Sequence, residues 1–388
     1  MRRVVVTGMG VVSCLGNDVE TFWAALLAGK SGIAPMTRWD PTGLRNVNMG
    51  EVKDFPWDDE HDEATQFARH AARQALAGVD GAGVGIAAST NFGGATMWDQ
   101  YLACLNAGEI DADIAEFFHE SLLATATEIM RTDSGLTGPA RTLSLSCSSG
   151  TAALGQGLDI IRLGKADAVL CEGHDALAYS SMAGLSILRT ITADMLRPFD
   201  TRRSGTIFGE GAGALLLEEY EHAQAHGATI YGEVLGCAVN NTSYHLTAPD
   251  KEGAGIVAAL RAALDDAGVA PAEVDYMNAH GTGTAYFDVT ETKAVKTVLG
   301  ARAYQIPMSS IKPATGHMMA AAGSVETIAT FCALRDGMIP PTLNHEQPDP
   351  ECDLDYVPGC ARQYQARTAV SISSGIGGNN AVVVLRGI

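Results

Sequence analysis

The chain closes two stretches in the same way. Gly209-Glu210-Gly211-Ala212-Gly213-Ala214-Leu215-Leu216-Leu217-Glu218 and Gly375-Ile376-Gly377-Gly378-Asn379-Asn380-Ala381-Val382-Val383-Val384-Leu385 are each a glycine-rich turn running into an apolar strand. What precedes them follows one plan. In the first half, residues 3–6, 84–88, 142–145 and 168–171 read as strands, and 147–163 as a helix with an apolar stripe at Ala153/Leu154, Leu158 and Ile161. In the second half, residues 231–236, 274–278 and 306–309 read as strands, 255–267 as a helix, and about 317–334 as a small-residue helix. Such a duplication predicts an α/β protein of two similar halves in one core, 1–225 and 226–388, divided near His226-Gly227. The helices beginning near Cys147 and His317 would be equivalent and central, with alanine and glycine letting them approach closely.

Two regions fall outside the plan. Residues 33–62, with Pro35, Pro41, Pro56 and the acidic run that starts at Asp58, read as a surface excursion. Residues 91–130 read as an inserted helical segment able to cap a pocket or meet another subunit. Gly8-Met9-Gly10 after the first strand lacks the third glycine of a dinucleotide fingerprint, Ser13 standing in its place, and reads as a structural turn.

Composition narrows the function. With 388 residues, 46% of them hydrophobic, the chain can bury one large core or two domain-sized ones. The net charge of -19 argues against nucleic acid and anionic membranes as partners. The opening residues lack a signal-peptide core, and no run reaches the about 18 apolar residues of a membrane span. Eight cysteines without a CxxC pair do not look like a disulfide framework, so a cytoplasmic location is expected.

Cys147 ends a short apolar strand and opens a helix. Free backbone N–H groups and the helix dipole converge there, which predicts a thiol biased toward the nucleophilic thiolate. Three further stretches also fall at strand ends, where α/β sheets place their sites: Asn278-Ala279-His280-Gly281-Thr282-Gly283-Thr284, Ser309-Ser310-Ile311-Lys312-Pro313-Ala314-Thr315-Gly316-His317, and the turn 375–378. A Cys/His/His metal site would lack short ligand spacing and be repelled by Lys312. A cysteine protease would leave one histidine and the lysine idle. Carbon–carbon bond formation on an acyl thioester employs all four residues: the cysteine takes the acyl group, and the histidines stabilise the enolate left when a malonyl thioester loses CO2.

At these stretches the chain resembles the β-ketoacyl-acyl-carrier-protein synthases of the thiolase superfamily, with the nearest likeness to type II elongating ketosynthases. CSSG at 147–150, RPFD at 197–200, GEGAGALLLEEYEHA at 209–223, NAHGTGT at 278–284, KPATGH at 312–317 and AAAGSVE at 320–326 carry the resemblance, which spans essentially the whole chain. It implies a five-layered αβαβα thiolase fold. It further implies Cys147 as acyl acceptor, His280 and His317 as the decarboxylation and condensation pair, and Lys312 as electrostatic organiser paired with Glu326. The oxyanion hole would be the backbone N–H groups of Cys147 and Ile376, with Thr282 and Thr284 holding the pantetheine arm. No cofactor beyond the phosphopantetheine arm of an acyl carrier protein is implied. The partners would be that carrier and either a second copy or a chain-length-factor homologue.

The sequence departs from this family in two places. The gate, usually phenylalanine, is Ile376 here, with Ser374 two residues before it, which is the isoleucine found in modular polyketide synthases. The usually basic carrier-docking stretch is the acidic run from Asp58 to Glu63, with Arg197, Arg202 and Arg203 as a candidate replacement. Both features favour a polyketide or polyene ketosynthase paired with a chain-length factor over a homodimeric fatty acid synthase. A non-catalytic scaffold subunit is disfavoured by the intact Cys147/His280/His317 set. A thiolase is disfavoured because residues 375–378 contain no second cysteine.

Overall fold

A computed structural model describes residues 1–58, 60–108 and 119–388. In chain order the strands are β1 (Val4–Val12), β2 (Ala34–Pro35), β3 (Asn48–Met49), β4 (Gly85–Ser89), β5 (Ala140–Leu143), β6 (Ala168–Asp175) and β7 (Gly211–Glu219). They continue as β8 (Gly232–Asn241), β9 (Tyr276–Asn278), β10 (Met308–Ser309), β11 (Met338–Ile339), β12 (Arg362–Gln363), β13 (Thr368–Ser374) and β14 (Asn379–Arg386). Strands β2/β3 and β11/β12 form small ribbons, and the rest form one sheet in the order β10-β9-β13-β14-β8-β1-β7-β6-β4-β5. Read outward from its middle, this is β1-β7-β6-β4-β5 on one side and β8-β14-β13-β9-β10 on the other. Both sides visit their strands in the same relative order with the same mix of parallel and antiparallel pairs. The sides meet through only two register pairs, Val5↔Glu233 and Val6↔Gly232.

Helices complete five layers. Glu63–Ala75 turns Phe67, Ala68, Ala71, Ala72 and Ala75 toward β1, β6 and β7, an apolar face at helical spacing. Ala254–Ala267 covers β8 and β14 on the far side. Ser149–Arg162 and Ala321–Asp336 lie between the two half-sheets and touch both. They approach so closely that a Cβ on Gly323 would stand 2.5 Å from the Thr151 nitrogen, and one on Gly150 2.6 Å from the Ala320 carbonyl oxygen. Only glycine permits that separation. No helix among the described residues is long and apolar enough to cross a membrane.

Three expectations are corrected. Gly8-Met9-Gly10 is no turn: β1 runs through it to Val12. The glycines are there because a Cβ on Gly8 or Gly10 would come 1.9 Å from the Ala75 oxygen or 2.1 Å from the Ala71 oxygen of the overlying helix. Residues 33–62 are not merely a surface excursion, since Met36, Met49, Glu51 and Asp62 are buried. The second central helix starts at Ala321 rather than near His317, because Met319 adopts a left-handed φ of 53° and the turn it makes sets the histidine. The insertion contributes helices Ala95–Ala107 and Thr125–Asp133, and the part expected at 109–118 lies outside the described residues.

Candidate active site

The cysteine stands on a tight turn after β5. Ser146 adopts a left-handed φ of 56°. The Ser148 hydroxyl donates to the Leu145 carbonyl at 2.7 Å, and the Leu145 N–H donates to the Ser149 hydroxyl at 2.7 Å. Strain of this kind persists only where surrounding bonds over-determine it. Across the turn, Gly375 and Ile376 come close to the cysteine, and the Ile376 N–H helps to draw its thiol down. Gly375 makes this approach possible, since a Cβ there would lie 2.8 Å from Ser146 Cβ and 2.9 Å from the Cys147 nitrogen. The expected bias toward thiolate is corrected. Burial pushes the Cys147 thiol up to about 11, against the pull of the Ser146 hydroxyl, the Lys312 charge and the Ile376 N–H. The resting side chain is therefore a thiol rather than a thiolate.

His280 and His317 sit edge to face, ring centroids 5.3 Å apart, and both are buried. Phe208 stacks on His317 at 5.6 Å, and Phe287 meets the edge of His280 at 5.0 Å. His317 Nδ1 accepts the Met319 N–H at 3.3 Å, which leaves its proton on Nε2 as a donor. Burial holds both imidazoles well below their ordinary 6.5, and the Lys312 charge lowers them further. Two neutral imidazoles result, as a site that donates hydrogen bonds to an enolate requires.

Lys312 lies in the short helix Lys312–Thr315 and donates to Glu326 Oε1 at 2.5 Å, both side chains being buried. Burial pushes the Glu326 carboxyl up, and the ammonium draws it back down, assisted by Asn278. A buried pair of this kind is costly to break from one side. Thr282 and Thr284 follow His280, with their hydroxyls 3.1 Å apart.

Comparison with known proteins places this geometry. The model of the β-ketoacyl synthase N-terminal domain matches residues 1–223, and that of the C-terminal domain matches 231–346. The chain belongs to the β-ketoacyl synthase family. A 3-oxoacyl-[acyl-carrier-protein] synthase 2 from Synechocystis is 37% identical over 99% of this chain and 98% of its own. The solved ishigamide ketosynthase/chain length factor superposes with a TM-score of 0.95 at 37% identity, covering 100% of this chain and 99% of that one. A type II polyketide synthase acyl-carrier protein in complex with its ketosynthase bound to the hexaketide gives 0.91 at 33% identity, with 100% of both chains covered.

Within this β-ketoacyl synthase the predicted site residues Cys147, His280 and Lys312 follow the carboxyl ends of β5, β9 and β10, while a cleft of about 790 Å³ lined by Arg3, Tyr220, Arg367 and Arg386 lies beside the first residues of β1 and β13. Ile376 packs with Phe92 and Phe208 against an apolar cluster containing Met36, Met49, Leu177 and Met319. Ser374 turns instead into its own hairpin, its hydroxyl donating to Asn380 Oδ1 at 2.8 Å. The candidate basic patch is spent internally: Arg197 pairs with Asp194, Arg202 with Asp200 and Glu346, and Arg203 with Asp349. The acidic run is likewise less exposed than expected. Asp62 caps a helix and accepts from the Thr96 hydroxyl, and Glu63 pairs with Arg38, while Asp59 lies outside the described residues.

Sequence reasoning missed three carboxylates that shape the site. Glu291 accepts the backbone N–H groups of His280 and Gly281 at 2.6 and 2.9 Å, with burial pushing it up to about 8. Asp288, one turn earlier on the same helix, takes the N–H of Gly283 at 3.1 Å. Asp175, at the end of β6, accepts from Ala320 N–H with one oxygen and from the Thr90 hydroxyl and the Asn91 and Phe92 N–H groups with the other. No local pattern marks them, because each acts on backbone groups of distant or looping segments. Gly375→Ala should push the turn that carries Ile376 away from Cys147. A loss of about 10²- to 10³-fold in kcat, with a near wild-type melting temperature, is expected from steady-state kinetics and thermal unfolding.

Proposed function

We propose that this protein joins an acyl chain to a malonyl unit on acyl carrier protein by decarboxylative Claisen condensation. The carrying observation is Cys147 on a tight turn packed against Gly375, with two buried histidines in ring contact and kept neutral by burial and the Lys312 charge. In the first step the Cys147 sulfur bonds to the acyl carbonyl carbon, the carbon–sulfur bond to pantetheine breaks, and the thiol proton passes to the departing sulfur. A malonyl thioester then loses CO2, and the electron pair of the broken carbon–carbon bond becomes an enolate whose oxygen accepts hydrogen bonds from the imidazoles. The enolate carbon attacks the Cys147 thioester. The tetrahedral oxyanion rests on the backbone N–H groups of Cys147 and Ile376, and collapse expels the cysteine sulfur, which recovers a proton. The chain's own residues supply every step, so no cofactor beyond the pantetheine arm is invoked, and Thr282 and Thr284 are the groups we assign to that arm. Incubation with acyl-carrier and malonyl-carrier protein should yield a β-ketoacyl carrier extended by two carbons in its mass spectrum. Free malonyl decarboxylation without extension would overturn the reading.

Type II polyketide or polyene assembly in the cytoplasm, with a chain-length factor as partner, is the pathway we favour. Its support is the likeness to the ishigamide ketosynthase/chain length factor together with isoleucine at the gate. The homodimeric fatty acid alternative rests on the name carried by the Synechocystis relative. Co-expression with a homologue lacking the cysteine, followed by native mass spectrometry, separates them: a heterodimer supports the first and an indifferent homodimer the second.

The acidic carrier needs cations near the pantetheine threonines. Arg45 and Arg189 are exposed, and neither has a carboxylate partner among the described residues. They lie close to that mouth: Arg45 N–H donates to the Ser186 hydroxyl, Thr190 carbonyl oxygen accepts from Thr206, and the neighbouring Gly205 N–H donates to the Gly283 carbonyl between the two threonines. Arg189→Glu should raise KM for carrier-bound substrates about tenfold while leaving kcat and the KM for a pantetheine thioester unchanged.

A further inference from the structure

We propose that Glu218, His222 and His226 form a binding site for one divalent transition-metal ion of the zinc class, at the end of the sheet remote from the chemistry. The three residues recur every fourth position and close into one cluster. Their ligand atoms all lie within 4.8 Å of one another. Glu218, on β7, has a side chain only 4% exposed. Its Oε1 accepts the Thr7 hydroxyl at 2.5 Å, and its Oε2 receives both His222 Nδ1 at 2.8 Å and His226 Nε2 at 2.9 Å. The short helix Tyr220–Ala225, capped by Glu219 through the His222 N–H, aligns the two imidazoles.

Three features distinguish this cluster from a hydrogen-bonded tie. Buried carboxylates are normally matched by a cation or a metal, and among the described residues Glu218 has no lysine or arginine, only the two imidazoles, which match it as cations when protonated and as metal ligands when neutral. The imidazole side chains are 45% and 49% exposed, so an ion and a completing water can reach the donors from solvent. The Thr7 hydroxyl already fixes the carboxylate through its other oxygen, the outer-shell contact that orients metal ligands. Tetrahedral zinc with bonds of about 2.0–2.2 Å places its donors about 3.3 Å apart, so each imidazole nitrogen would draw back from Glu218 Oε2 by about half an ångström while the two nitrogens, now within 4.8 Å of each other, settle to the same spacing. Neutral rings would then carry their protons on the solvent-facing nitrogens, and the ion would take the place of the two N–H bonds.

The location gives the ion its role. Glu218 pairs with Val5 of β1, and the helix bearing His222 leads to β8, where the two half-sheets join. A bound ion would clamp that junction without touching catalysis. Chelator-treated full-length protein, with Cys147 alkylated to remove the active-site thiol, is titrated with Co2+ as the probe. One equivalent should bind with the visible bands of a tetrahedral nitrogen/oxygen site and be displaced by Zn2+, which should also raise the melting temperature. His222→Gln and His226→Gln should each weaken binding at least about tenfold and abolish the Zn2+-dependent shift, with condensation by the unalkylated variants unchanged. Glu218→Gln also disturbs a buried bond to Thr7, so the two histidine variants carry the test. Affinity unchanged in both, or wild-type binding no tighter than millimolar, overturns the site.

Discussion

Cys147→Ala is expected to abolish acyl loading and to lower condensation by about 10⁴-fold or more, since in the proposed mechanism its sulfur carries the acyl chain between the two half-reactions. Intact-protein mass spectrometry after incubation with acyl-carrier protein should show no acyl adduct on the variant and one on the wild type. The same variant should still decarboxylate malonyl-carrier protein, because both imidazoles and the Ile376 N–H remain in place. Acyl loading that survives the substitution removes Cys147 as nucleophile. Decarboxylation lost together with loading defeats the division of labour between the thiol and the histidines.

Lys312→Met should have the second largest effect, and it should be visible in stability, pH dependence and rate. It leaves the Glu326 carboxylate buried without its cation, which costs about 3–5 kcal/mol and should appear as a lower denaturation midpoint. The double variant Lys312→Met/Glu326→Gln should recover most of that loss without recovering activity. The pH effect follows from the direction of the histidine shifts. In the wild type both imidazoles titrate well below 6.5, through burial and then the Lys312 charge. Unfolded histidines take up protons first as the pH falls. The stability gained from neutral folded imidazoles is therefore complete above 6.5 and lost as the pH drops through that value toward the folded pKa values. Without Lys312 the imidazoles protonate at higher pH, so the acid limb of the kcat/KM profile moves upward. A limb that stays in place would show that Lys312 does not act on the histidines through its charge.

Legibility in the sequence followed the range of the interaction. Strand ends carrying Cys147, His280 and Lys312 could be read locally, because apolar runs stop abruptly in small and functional residues there. Duplication could be read from order alone, and the sheet repeats it strand for strand. What could not be read depends on which distant groups meet. Gly8 and Gly10 look like a turn until the helix Glu63–Ala75 is laid across them. Arg197, Arg202 and Arg203 look like a basic patch until carboxylates at 194, 200, 346 and 349 reach them. Asp175 and Glu291 carry no motif, since their work is to accept backbone N–H groups from other segments.

Cys147 shows the same division within one residue. Its place between a strand and a helix, which marks it as the candidate nucleophile, is a property of the local sequence. Its resting protonation is not. That is decided by burial, which outweighs the neighbouring hydroxyl, ammonium and N–H and keeps the thiol protonated. By itself, the sequence determined the family and the doubled architecture and named the candidate reacting groups, all written in short contiguous patterns. Only the tertiary structure decided their charge states, the donors around them and which surface charges are paired, because desolvation and pairing depend on what lies across space rather than along the chain.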